Sequence, residues 1–160
     1  MMETERLRRL ASVILCLVMA MHLCSCGATE SASSAEDNNS VGVTEEMKLY
    51  INDTEIPVKW ESNSAVTEMT EWAAEAPRTV SMSMYGGWEQ VGALGRAFTT
   101  SDKQITAKNG DIVLYSGDQI VVFYGSNSWS YTKLGHMDLS SSEVRNLLSK
   151  NDVTITLRAE

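Results

Sequence analysis

From Lys48 to the end of the chain the apolar residues fall in short runs of period two divided by turn residues, and that pattern commits the folded part to β-structure. Lys48 to Ile51 and Glu55 to Trp60 flank Asn52-Asp53-Thr54, which is turn chemistry between two strands. Thr79 to Tyr85 puts Val80, Met82 and Met84 on one face and Ser81 and Ser83 on the other. Lys103 to Thr106, Ile112 to Tyr115, Gln119 to Tyr124 and Trp129 to Leu134 are four further strands, with Asn109-Gly110 and Ser116-Gly117-Asp118 as turns. Val121 to Tyr124 is apolar at every position, which predicts a strand buried on both faces. Val153, Ile155 and Leu157 alternate as a last strand.

Two segments change period. Ala65, Val66, Met69, Trp72, Ala73 and Ala76 recur at helical spacing, with Asn63 or Ser64 available as N-cap and Pro77 blocking continuation. Ser140 and Glu143 have capping-box spacing ahead of Val144, Leu147 and Leu148, and Asn151 follows as a stop. The expected order is two strands, a helix, five strands, a helix and a strand. Eight strands need their edges covered, and closing the sheet removes them, so the expectation is a mostly β fold: a closed eight-stranded β-barrel capped by two α-helices. A sandwich with two helical plugs has the same element list, and periodicity leaves it open.

The element order, with one helix after the second strand and another before the last, resembles the cyclophilin barrel. Three stretches narrow the resemblance: Ser81-Met82-Ser83-Met84-Tyr85-Gly86-Gly87-Trp88-Glu89-Gln90-Val91-Gly92, Gly110 to Gly117, and Ile120-Val121-Val122-Phe123-Tyr124-Gly125. They resemble a bacterial cyclophilin-like family distinct from the isomerase cyclophilins, over roughly Met47 to Ala159. In the isomerases, an arginine on the third strand polarises the prolyl amide beside an apolar pocket. Here that strand, Thr79 to Tyr85, contains no arginine; Arg78 and Arg96 lie outside it, and neither is carried over as catalytic. The resemblance therefore implies the fold and leaves isomerase activity without its positioned donor.

Ahead of the folded part, Arg6-Leu7-Arg8-Arg9 precedes an apolar run from Leu10 to Leu23 and then small residues, the order of a secretory signal. Leu23-Cys24-Ser25-Cys26-Gly27 resembles the bacterial lipobox, which implies cleavage before Cys26 and a diacylglyceryl group on its sulfur. Ala28 to Thr44 has hardly an apolar side chain and reads as a flexible tether. The expected layout is a signal peptide over 1–25, a tether over 26–46 and a cyclophilin-like domain over 47–160, exported and held by lipid on a bacterial membrane, facing outside the cytoplasm.

Composition excludes several chemistries. All three cysteines, Cys16, Cys24 and Cys26, precede the domain, so it holds no disulfide, thiolate nucleophile or zinc ribbon. The net charge is −8, and residues 47–160 hold 14 acidic against 10 basic side chains, the wrong sign for a nucleic-acid binder. His136 is the only histidine past the leader, and with scattered carboxylates it gives no metal spacing; His136, Asp138 and Ser140 are too weak a pattern for a triad. No cofactor is expected. Gly86, Gly87, Gly92 and Gly95 fit no phosphate-binding motif and read as a turn or bulge.

The ligand-pocket candidates are Met82, Met84, Trp88, Gln90, Phe123, Tyr124, Trp129 and Tyr131, with Arg96 as a weak catalytic candidate. Each aromatic has packing as its ordinary reading. The leading functional expectation is a membrane-tethered domain that binds a peptide segment with weak or no prolyl isomerase activity. The alternatives are an active isomerase, with Arg96 polarising the amide and Trp88 and Phe123 as the apolar wall, and a small-molecule-binding lipoprotein.

Overall fold

The structure, a computed structural model, describes residues 45–160; the leader, Cys26 and the tether through residue 44 lie outside the described residues. The chain opens with β1 (Met47–Ile51), β2 (Thr54–Ile56), β3 (Val58–Trp60) and α1 (Ser64–Glu75). It continues through β4 (Arg78–Ser81), β5 (Ser83–Tyr85), β6 (Glu89–Ala93), β7 (Lys103–Ala107), β8 (Asp111–Tyr115), β9 (Gln119–Phe123) and β10 (Asn127–Met137). It closes with α2 (Ser141–Leu148) and β11 (Thr154–Ala159).

Both helices start where their caps predict. Asn63 Oδ1 accepts from Val66 N at 3.0 Å, and Asn63 Nδ2 donates to Lys133 O at 2.9 Å, so the cap also pins α1 to β10. Ala76, forced extended by the following Pro77, ends the helix. Ser140 and Glu143 form the full capping box of α2, and those hydrogen bonds hold the Glu143 carboxyl below its usual range. The helix ends at Leu148, with Ser149 as its C-cap, ahead of Asn151.

The strands do not close into a barrel. Among the described residues eleven strands form two sheets, one of four in the order β2-β1-β11-β4 and one of seven in the order β3-β10-β8-β9-β6-β5, with β7 paired to β10. Two of the expected strands are each broken by one residue. Pro57, which has no N–H, separates β2 from β3, and Met82 separates β4 from β5, donating its N–H to Val153 O at 2.8 Å. Each break hands the chain from an outer strand of the small sheet to an outer strand of the large one. The edges are thus managed at corners where the chain changes sheet, which is a sandwich device.

β6 is the strand that periodicity does not announce. Its residues Glu89, Gln90 and Gly92 are buried although two are polar and one has no side chain. Gly86 (φ 61°) and Gly87 (φ 81°) supply the left-handed backbone of the β5–β6 turn, closed by Trp88 N to Tyr85 O at 3.3 Å.

The main core lies under both helices. Leu49, Ile51, Ile155 and Leu157 of the small sheet, Ile112, Leu114, Ile120 and Val122 of the large one, and Met69, Val144 and Leu148 of the helices are all buried in it. The opposite face of β8 and β9 carries Val113, Val121 and Phe123, which join Ala107 and Tyr131 in a smaller cluster. β9 is therefore buried on both faces, as its apolar run requires. Among the described residues no helix is long and apolar enough to cross a membrane.

Candidate functional site

Beside the smaller cluster, on the same face of the seven-stranded sheet, lies a cavity of about 320 Å³. Period two brings its wall together: Glu89 and Val91 from β6, Gln119 and Val121 from β9, Tyr115 from β8, and Asn127, Trp129 and Tyr131 from β10. Tyr85 of β5 completes it, paired in register with Glu89, while Val91 pairs with Val121 and Tyr115 with Gln119.

Aromatic packing fixes the inner wall. The Tyr131 ring meets Tyr115 edge to face at 5.9 Å between centroids, and Phe123 packs on Tyr131 from within the cluster at 5.8 Å. Asn127 Nδ2 donates to Tyr131 Oη at 3.2 Å. At the mouth, Tyr85 and Trp129 are 67% and 56% exposed, unusual for large aromatic side chains with a structural role alone.

Glu89 is the charged member of the wall. It is 6% exposed, its Oε2 has no hydrogen-bond partner among the described residues, and burial pushes its carboxyl above the usual carboxylate range. The same burial, followed by the charge of Glu89, raises the phenols of Tyr131 and Tyr124. No lysine, arginine or histidine is among the lining residues. The site is an aromatic-walled cavity with one unpaired acid.

Of the residues singled out from sequence, Trp129 and Tyr131 line this cavity and Phe123 stands behind it. The others are placed elsewhere. Met82 and Tyr124 belong to the main core. Gln90 is fully buried and its Nε2 donates to Leu148 O at 2.7 Å and Asn151 O at 2.8 Å, tying β6 to the end of α2. Met84 and Trp88 are exposed and outside the lining; the Trp88 carbonyl accepts from Tyr124 N and Gly125 N, both at 2.9 Å. Arg96 is exposed and stacks its guanidinium 4.9 Å above the Phe98 ring.

His136 does not assemble with Asp138 and Ser140. Its Nδ1 lies 2.8 Å from Asp111 Oδ1, an oxygen that Lys133 Nζ also approaches at 3.3 Å, and the Ser140 side chain is committed to the α2 cap. Among the described residues no three His, Cys, Asp or Glu side chains converge as a metal site.

Sequence reasoning missed Glu89, Tyr85 and Tyr115. The signal for Glu89 was its two-residue spacing from Val91 just past a Gly-Gly turn, which a polar strand obscures.

A profile of the cyclophilin-like family matches residues 49–158. No curated protein matches the chain. Among solved structures, that of McbB in complex with tryptophan superposes with a TM-score of 0.48 at 10% identity, covering 71% of this chain and 44% of McbB. The chain thus spans under half the length of that protein.

Proposed function

Because the chain belongs to the cyclophilin-like family, we propose that it is a binding domain that takes an extended peptide segment, seating one side chain in the cavity, with weak or no prolyl isomerase activity. The observation that carries this reading is that the cavity reaches a strand edge: Tyr85 in its wall belongs to β5, the last strand of the large sheet among the described residues, and Asn127, Trp129 and Tyr131 of β10 share that wall. An extended peptide finds backbone partners along such an edge and a side-chain pocket beside it. The volume suits one side chain or a small ligand.

The non-catalytic part of the reading is supported by the lining. In the isomerases a positioned arginine stabilises the twisted prolyl amide, and the lining here holds no lysine, arginine or histidine to take that part. A panel of X-Pro and other short peptides titrated into the full-length chain tests both parts. Binding weakened by about tenfold or more in Trp129→Ala, as expected for an exposed aromatic that a bound peptide covers, with no acceleration of proline isomerisation, is the expected result. Robust turnover abolished by Arg96→Ala would overturn the non-catalytic part, and peptide binding indifferent to Trp129→Ala would overturn the site.

The reading includes an address. The domain is tethered outside the cytoplasm by acyl chains on Cys26, supported by the Arg-rich start, the apolar run and the Leu23-Cys24-Ser25-Cys26-Gly27 segment.

A further inference from the structure

We propose that the group this cavity recognises is an alkylammonium, its charge met by the Glu89 carboxylate and the aromatic rings of the wall, and its alkyl part by Val91 and Val121. The inference rests on the cavity being the ligand site and adds the chemistry of the occupant.

Three observations select that chemistry. Glu89 is the sole charged residue among those lining the cavity, and it is more than nine-tenths buried with Oε2 unpartnered. A buried carboxylate without a counter-charge is costly, and it is relieved either by taking up a proton or by an ion or ligand that completes it; in an open cavity a cation can supply the second. Second, four of the lining residues are aromatic: Tyr85, Tyr115, Trp129 and Tyr131. Ring faces attract cations, most strongly where water is excluded, and bind weakly hydrated alkylated ammonium groups well. Third, the lining holds no cation, so an anionic ligand would meet the field of Glu89 with nothing to offset it.

The charge state gives the site a pH signature. The titratable groups facing Glu89 are phenols, Tyr85 from β5, Tyr115 from β8, Tyr131 from β10 and Tyr124 at the end of β9, and none is a base. The Glu89 carboxyl is the one acid or base among the lining side chains that carries a formal charge, and it governs binding. A cation stabilises the ionised carboxylate, so its binding releases a proton and weakens as pH falls through the raised pKa of Glu89.

The source is either a lysine side chain of a bound peptide or a free alkylamine, and the arms of the test separate them. The full-length chain is titrated calorimetrically with choline and with its uncharged isostere 3,3-dimethylbutan-1-ol. Saturable choline binding in the millimolar range is expected, about tenfold or more tighter than the isostere and lost to the same degree in Glu89→Gln, with that variant's cooperative melt as control. Equal binding of the two isosteres, unchanged affinity in Glu89→Gln, or no saturable binding up to about 100 mM would overturn the inference. A lysine peptide displaced by choline supports the peptide source, and choline binding with no peptide binding supports the free amine. A peptide that binds through Trp129 but is not displaced by choline overturns the ammonium inference while leaving the peptide-binding reading intact.

Discussion

The Glu89 carboxylate sits in the sheet with Oε2 unpartnered, and its burial has a consequence for stability as well as for binding. The folded state keeps its proton at pH values where the unfolded chain, with a pKa near ~4.3, has released it. Stability contributed at this residue therefore falls as pH rises from the unfolded pKa to the raised folded one, and is level above it. Glu89→Gln removes the charge and that loss. Thermal melts of both proteins between about pH 4 and pH 7 should show the variant gaining on the native chain as pH rises; a difference in melting temperature that stays constant with pH would contradict it. Little local marks this residue beyond its spacing from Val91. Gln90 reads as a pocket candidate, and the pairing of both residues with Tyr85, Met84, Phe123 and Val122 places Glu89 in the cavity wall and Gln90 in the interior.

At the scale of elements, β6 is the piece on which the site depends and the piece that periodicity overlooks. Its glycine is there for a close approach, since a Cβ at Gly92 would stand 2.4 Å from Met82 Sδ and 2.6 Å from Val80 Cγ1, where β4 turns the corner into β5. Gly92→Ala is expected to cost about 1–3 kcal/mol by overpacking, read as a lower urea midpoint at unchanged m-value; a midpoint equal to the native one would show that the corner yields freely. Met82 was thus legible as a core residue from its alternation with Val80, whereas its role as a corner was not. Helices α1 and α2 are the opposite case. The caps lie next to or within the first turn of their helices, so the sequence states the Ser140–Glu143 pair outright and narrows the α1 cap to Asn63 or Ser64, of which the structure uses Asn63.

At the scale of the molecule, the two ends of the domain close on each other. Glu46 and Glu160 exchange backbone hydrogen bonds at 2.8 and 3.1 Å, and β1 pairs with β11 along its length. Attachment to a membrane belongs to this scale too: mass spectrometry of the membrane fraction should find a diacylglyceryl group on Cys26, and Cys26→Ser should move the protein out of that fraction. An unmodified Cys26 would overturn the tethering proposal. By itself the sequence determined the mostly β composition, the two helices with their caps, the Asn52-Asp53 turn and the doubly buried β9, because each is written in residues a few positions apart. Only the tertiary structure decided that the strands form two sheets rather than a closed barrel, that Glu89 lies inside, and that Tyr85, Tyr115 and Trp129 share one cavity. Those outcomes depend on the register between strands distant in the chain, and register is set by packing, not by neighbours in sequence.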